Sequence, residues 1–363
     1  MKKILWIILA AALYSCEPGN MTTIIHPDGS CERVLVAKAT DAFIKGDSTS
    51  NPFPVSIDKN WKVQWQYNGD EQFSEWPLSN WIRQPQDSAK EIKVYATRKF
   101  TSASEMAKNF RFNTKSKWND LIPRPVFEKK FRWFYTYYSY SEAYPRLPIK
   151  FPLPIENYMR KEEADYWLTG TPVFDKGISG MDLYEKLDNI KDKFETWASA
   201  NAWELQYAAV LRNLDQFPGN PGAEKMVQEK DSIYKSVSNE SKEDYKVKNI
   251  GEVLNRWFST TAFNPLLNEQ SAISREVNNP AEMEKLNDYT STFFKYRLVM
   301  PGQLLTANGM IEQDTISWNL DATKMLNSDY TLTATSRKMN IWAVFVSGII
   351  VILALVLLFR KRS

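Results

Sequence analysis

Few side chains in this 363-residue chain have the types and spacing that catalysis needs. Histidine occurs once, as His26 beside Pro27. A Ser–His–Asp or Cys–His nucleophile would have to be built on that one ring. Its place at a turn tip marks it instead as an edge polar residue. One histidine and two cysteines, Cys16 and Cys31, cannot assemble the usual zinc ligand sets. The glycines are scattered at turns, and none form a phosphate-cradling loop. Paired carboxylates are the remaining option: Glu162, Glu163 and Asp165 lie beside Tyr166 and Trp167. Glycoside hydrolysis needs two such groups facing each other at about 5–10 Å. Adjacent acids on one helix point in different directions, and Arg160 and Lys161 make this a mixed-charge, solvated face. The aromatic run Phe131–Tyr140 has rings that could stack sugars, but alternation on both sides reads as packing against two cores. No catalytic residue, cofactor or metal ligand is assigned.

The chemistry that does stand out is at the ends. Met1-Lys2-Lys3 precedes an apolar run, Ile4 to Leu13, that ends at Tyr14-Ser15-Cys16. About ten apolar residues is signal-peptide length, too short for ~30 Å of hydrocarbon. Leu13-Tyr14-Ser15-Cys16 resembles a bacterial lipoprotein cleavage box, which implies cleavage before Cys16 and palmitate-type acylation of that cysteine. At the other end Ile341–Phe359 is uninterrupted by charge and is followed by Arg360-Lys361-Arg362. Nineteen residues at ~1.5 Å each just cross a bilayer. Trp342 sits where an amphipathic ring favours the headgroup zone. With an exported chain, this segment stops transfer and leaves a basic cytoplasmic tail, although Arg337 and Lys338 dilute the charge bias. A single acyl tail holds marginally, so the spanning helix is the main anchor.

Between the ends the charge nearly cancels. Removing Lys2, Lys3, Arg360, Lys361 and Arg362 from the 46 basic residues leaves 41, against 43 acidic ones. That balance excludes the basic footprint of a nucleic-acid binder and gives no sign of a polybasic membrane patch. With Cys16 acylated, Cys31 has no disulfide partner and reads as a small core residue. Thirteen Trp, 17 Tyr and 19 Phe then supply the apolar area that packing requires.

The elements that must position all this follow a β–α–β order. Thr22–His26 and Cys31–Val36 alternate around Pro27-Asp28-Gly29-Ser30, a hairpin signal. Asp58–Tyr67 and Ile92–Phe100 alternate too, and Ser102 with Glu105 has capping-box spacing for a short helix. Phe127–Tyr140 reads as one long strand. After Tyr144 the prolines 145, 148, 152 and 154 mark a linker, and the period turns helical. Helices are expected over Ile155–Leu168, Met181–Leu214, Glu224–Ser238, Lys242–Phe258 and Glu282–Phe293. From Phe294 the strand period returns: Lys295–Met300 into Pro301-Gly302, then Leu304–Ala307, a tight turn at Asn308-Gly309, and strands at Thr315–Leu320 and Tyr330–Thr335. Both termini face one membrane, so the simplest geometry pairs the first hairpin with the last strands in one membrane-proximal sheet.

Leu298-Val299-Met300-Pro301-Gly302, Asn308-Gly309 and Ile316-Ser317-Trp318-Asn319-Leu320 resemble the LppM-like domain family of bacterial membrane-anchored lipoproteins, as does the opening hairpin with Asp28-Gly29. The resemblance covers roughly residues 22–40 and 294–340 with the anchors, and carries no catalytic residue. It implies a surface-exposed, non-catalytic α+β module in contact with lipids or envelope partners.

The expectation is therefore an α+β chain. A signal peptide occupies 1–15, and a split antiparallel β-sheet domain is built from 16–144 and 294–338. A helical insertion fills 145–293, and a transmembrane helix at 341–359 precedes a basic tail at 360–363. The expected function is a non-enzymatic protein of the bacterial inner membrane, its bulk extracytoplasmic, presenting a domain to an envelope protein or lipid. Alternatives are a carboxylate-based hydrolase of envelope glycans and a hydrophobic-ligand carrier. Membrane lipid, through acyl anchor and helix, is the one partner implied directly.

Overall fold

The computed structural model describes residues 19–69, 72–77, 91–114, 116–171, 177–243, 249–290 and 293–360. The segment expected to be a signal peptide, Cys16 and the residues beyond Arg360 lie outside the described residues. The fold is α+β and separates into two compact units. The β unit comprises Glu17–Arg146, Phe293–Asp321 and Ser328–Ser363; the helical unit contains Leu147–Thr292 together with Ala322–Asn327.

The β unit holds twelve described strands. In chain order these are β1 (Gly19–Ile25), β2 (Cys31–Ala39), β3 (Lys62–Tyr67), β4 (Ser74–Glu75), β5 (Ile92–Phe100), β6 (Arg124–Phe131), β7 (Tyr135–Tyr144), β8 (Phe293–Val299), β9 (Gln303–Ala307), β10 (Met310–Glu312), β11 (Thr315–Asp321) and β12 (Tyr330–Met339). Two short helices, α1 (Asp41–Ile44) and α2 (Ala103–Asn109), accompany them. One sheet has the order β10-β11-β8-β1-β2-β5-β3-β4, and the other β6-β7-β12-β9. The N- and C-terminal strands do share a sheet, because β1 pairs β8 from Gly19↔Phe294 to Ile24↔Val299. That pair is parallel within an otherwise antiparallel sheet. A parallel pair cannot be closed by a tight turn; here everything from β2 to the last inserted helix forms the connection.

Local chemistry explains several elements. Asp28 accepts the Ser30 amide at 2.9 Å and its hydroxyl at 2.7 Å, and Gly29 has φ +96°, so the β1–β2 turn closes as its residues dictate. Ser102 caps α2 by accepting the Glu105 amide at 3.1 Å. Strand alternation puts Ile92, Val94, Ala96, Arg98 and Phe100 of β5 inward.

Four expectations are corrected, the last of them in the helical unit below. First, Phe127–Tyr140 is not one strand but the hairpin β6–β7, turning at Trp133-Phe134 between Arg132 and Tyr135, whose backbones exchange hydrogen bonds of 2.8 and 3.1 Å. No Gly, Asn or Pro announces it. Second, Asn308-Gly309 does not close a hairpin: β9 and β10 belong to different sheets, and the dipeptide carries the chain between them. Asn308 Oδ1 accepts from Thr333 N (2.8 Å) and Trp318 Nε1 (3.1 Å), and a Cβ on Gly309 would lie 2.4 Å from the Trp318 ring. Close approach, not left-handed backbone, is what requires glycine there. Third, Ile155–Leu168 breaks into a 3-10 turn at Ile155–Asn157 and the helix α3 (Lys161–Thr169), because Arg160 adopts the extended conformation of an N-cap.

The helical unit continues with α4 (Met181–Arg212), α5 (Ala223–Glu243), α6 (Ile250–Phe258), α7 (Ala272–Asn278) and α8 (Ala281–Thr290). Lys242 and Glu243 end α5 and do not start the next helix, which begins at Ile250, and α7 had no expected counterpart. Tyr207, Val210, Phe217, Met226, Ile233, Leu254, Phe263, Leu266 and Val277 form its core, each with no exposed surface. Returning to the β unit, β12 runs through the single residue Asn340 into α9 (Ile341–Arg360). This is the one helix among the described residues that is long and apolar enough to cross a membrane.

Gly302, after β8, has φ +80°, and a Cβ there would sit 2.3 Å from the Arg337 carbonyl oxygen on β12. Gly302→Ala should therefore lower the stability of the β unit by more than about 2 kcal/mol, combining left-handed strain with a backbone clash. Denaturant titration of the purified chain, followed through its tryptophans, measures the loss.

Candidate functional site

The two sheets meet through charge. Arg33 on β2 and Glu142 on β7 occupy the inward phase of their strands, and both side chains are wholly buried. Arg33 Nη2 donates to Glu142 Oε1 and Oε2 at 2.9 and 2.8 Å, and Nε donates to Thr23 Oγ1 at 3.2 Å. Three tyrosine hydroxyls complete the carboxylate: Tyr140 at 2.6 Å and Tyr296 at 2.5 Å on Oε2, Tyr144 at 3.1 Å on Oε1. The guanidinium lies 4.3 Å over the Phe110 ring. Burial, the largest influence, opposes the charge on Arg33, but the Glu142 carboxylate together with Tyr296, Tyr140 and Tyr144 outweighs it and holds the guanidinium well above its ordinary pKa. Burial first, and Glu142 second, push Tyr140 and Tyr144 well above the ordinary phenol range, so they remain protonated donors.

Chemically the cluster is a locked ion pair. Every acceptor position of the carboxylate is occupied, and no lining residue of either described cavity belongs to it. In the β unit Met21, Leu35, Phe53, Pro54, Phe112 and Phe294 line a small apolar crevice without a titratable side chain. In the helical unit Ser236, Val237, Val253, Arg256 and Trp257 line an open groove of about 210 Å³ between α5 and α6. Among the described residues no group of three or more His, Cys, Asp or Glu is placed to hold a metal ion.

The residues singled out in the sequence are not brought together. His26 begins the β1–β2 turn, where its backbone amide donates to the Ser30 carbonyl at 2.9 Å, and the Ser30 hydroxyl donates to Asp28. Cys31 is buried with its Sγ 4.0 Å from Met106 Sδ, and burial raises its thiol to about 11, which removes it as a nucleophile near neutrality. Cys16 lies outside the described residues. Glu163 is the carboxylate of a capping box: it accepts from the Arg160 backbone at 2.9 Å, Arg160 Nη2 at 3.2 Å and Lys193 Nζ at 2.9 Å. Asp165 is paired with Lys161, and Glu162 is exposed. These acids start and staple a helix.

The signal for the Arg33–Glu142 pair was present but unread. A charged residue in the apolar phase of an alternating strand, Cys31-Arg33-Leu35 or Tyr140-Glu142-Tyr144, must be buried and must find a partner.

Junction geometry is equally specific. Asn340 N donates to the Phe134 carbonyl (2.8 Å), its Nδ2 donates to the carbonyls of Arg132 (2.8 Å) and Trp133 (3.2 Å), and its Oδ1 accepts from Thr136 Oγ1 (2.8 Å). One side chain thus fastens the start of α9 to the β6–β7 turn.

Glu142→Leu alone should destabilise the β unit by about 3–5 kcal/mol by leaving a buried guanidinium unpaired, whereas Arg33→Met with Glu142→Leu should recover most of that loss. A double-mutant cycle in denaturant decides it. Burial would raise the Glu163 pKa, but the hydrogen bonds from Lys193 and Arg160 prevail and hold it at about 2, against an ordinary 4.5. A folded-state pKa below the unfolded one means stability that is complete above about pH 4.5 and lost as pH falls toward 2. Glu163→Gln should flatten the acid limb of helix unfolding over that window, read by circular dichroism. Neither a family model nor a curated protein nor a solved structure matches this chain.

Proposed function

We propose that the chain is a non-enzymatic, membrane-anchored protein of the bacterial envelope. In this reading α9 spans the inner membrane, the two folded units lie on the extracytoplasmic side, and the basic end is cytoplasmic. The helical unit is the part offered to an envelope protein or lipid. The observation that carries the reading is the one-residue splice between β12 and α9, with Asn340 bonded on both backbone and side chain to the β6–β7 turn. A helix with a solvent-exposed apolar surface, fixed to a folded unit without a linker, is suited to holding that unit at a bilayer face.

Of the carboxylates singled out for a hydrolase, Glu163 is held in a capping box and Asp165 in a helix ion pair, while Glu162 is exposed on the first turn of α3. The α5–α6 groove offers an open surface of the helical unit. The resemblance to LppM-like domains, with its strand ending at Pro301-Gly302 and the Trp318 strand, supports lipid or envelope contact. Acylation of Cys16 adds a second, weaker attachment.

Carbonate extraction of membranes tests this with three variants. Removing 341–363 should leave the chain loosely held, Cys16→Ser should leave it firmly held, and both together should release it. A tag after Ser363 should resist protease added to spheroplasts that cuts within the helical unit. An intact chain found freely soluble, or a tag cleaved together with the helical unit, overturns the proposal.

A further inference from the structure

The β6–β7 hairpin ends in an aromatic cluster with no packing partner large enough to cover it. Phe131, Trp133 and Phe134 are 55, 44 and 46% exposed, and Trp342 at the head of α9 is 51% exposed. Three of the four touch: Phe131 stacks on Trp342 at 6.1 Å, Trp133 meets Trp342 edge-on at 5.4 Å, and Trp133 Nε1 donates to Ser347 Oγ at 2.8 Å. A two-residue hairpin turn ordinarily takes Gly, Asn or Asp, because the favoured turns need positive φ. This turn carries two of the bulkiest side chains instead, at positions where neither has a positive φ. Folding gains little from such residues left in water.

Resting on the reading of α9 as a spanning helix, we propose that the Phe131–Phe134 tip is a further membrane contact, a hairpin wedge immersed in the outer leaflet beside α9, with a phospholipid surface as its occupant. Depth is the first argument. Ser347 is six residues past Ile341, roughly 9 Å along the axis, and a 20-residue helix measures about 30 Å, the thickness of the hydrocarbon itself. The helix has no spare turn with which to lift Ser347, and the indole bonded to it, out of the leaflet. A depth of roughly 5–10 Å is where interfacial aromatic segments settle.

Hydrogen bonding is the second. Backbone carbonyls in lipid must be satisfied within the protein. The carbonyls of both turn residues, Trp133 and Phe134, and of the flanking Arg132 accept from Asn340, and the indole N–H of Trp133 is met by Ser347. A turn exposed to water needs no such closure.

Charge is the third. Immediately behind the tip, Lys130, Arg337 and Lys338 occupy the last rows of the sheet, where Lys130 and Arg337 both face Tyr137 and Lys338 faces Thr136, and Arg132 flanks the turn itself. Glu128 and the buried Glu142 are the only carboxylates on β6, β7 and β12. The near-zero charge of the whole exported part conceals this local girdle, which lies at the level of anionic headgroups when the tip is immersed.

The test uses the full chain with Cys16→Ser in vesicles of phosphatidylcholine and phosphatidylglycerol, carrying an environment-sensitive fluorophore at one of three introduced cysteines. Phe134→Cys reports the tip, and Leu353→Cys reports the middle of α9. Val126→Cys lies on exposed β6 about 17 Å back from Phe131 at ~3.4 Å per residue. The expected result is that labels at 134 and 353 are quenched by lipid brominated on its acyl chains and lose quenching by aqueous iodide, while the label at 126 does the reverse. A label at 353 quenched by lipid with a label at 134 as open to iodide as that at 126 overturns the wedge and leaves the anchor standing. Shielding of 134 from both quenchers means that a second copy of the chain covers the tip, and this too overturns it. A label at 353 that lipid does not quench overturns the spanning helix and the wedge together.

Discussion

The β unit depends on one decision made against solvation: Arg33 and Glu142 leave water together. Each ion surrenders several kcal/mol of hydration on burial, and their attraction restores this only where the remaining hydrogen-bonding capacity is also met. Tyr140, Tyr144 and Tyr296 complete the carboxylate and Thr23 takes Arg33 Nε, while Nη1 is buried without a partner, so the pair is a cross-sheet lock that keeps part of its desolvation cost. Because side chains alternate along a strand, a one-residue slip of either β2 or β7 would turn one member of the pair to solvent and strand the other. The pair thereby fixes how the faces of the two sheets oppose each other. From Glu142 the constraint passes along β7 to β12, paired with it over ten residues from Tyr330↔Tyr144 to Met339↔Tyr135, and then through Asn340 to α9.

Much of this architecture is legible in sequence where the cause is local. The apolar run from Ile341, the strand Ile92–Phe100, the Ser102 cap and the Asp28-Gly29 turn all depend on neighbours within a few residues. The β–α–β order, and with it the shared sheet of first and last strands, follows from where the period changes from two to 3.6. What is not legible depends on partners far along the chain. The Trp133-Phe134 turn is closed by Asn340, 208 residues beyond Arg132, so its own residues look like the middle of a strand. Asn308-Gly309 carries strong hairpin chemistry, but the packing of Trp318 on Gly309 and the capture of Asn308 by β12 make it a crossing between sheets. Propensity states what a dipeptide allows; the strands on either side decide how it is used.

Function divides along the same line. The candidate carboxylates Glu162, Glu163 and Asp165 attract notice because acids cluster beside aromatics, yet their work is to begin α3 and tie it to α4. Arg33 and Glu142 attract none, since a whole-chain view of charge cannot distinguish a buried ion from a solvated one. Reading the phase of each charged residue within its strand would have separated them. The same averaging hides Lys130, Arg132, Arg337 and Lys338, which are spread over two distant segments and become neighbours only when β6, β7 and β12 align.

The splice at Asn340 leaves no slack between sheet and helix. In a bilayer, an apolar helix of fixed length answers a change in thickness by leaning. Here leaning would swing β12, and with it the entire β unit, like a mast turning its keel. The orientation of the folded body would then be a property of the surrounding lipid as much as of the protein, and a thinner membrane would present a different side of it to the periphery.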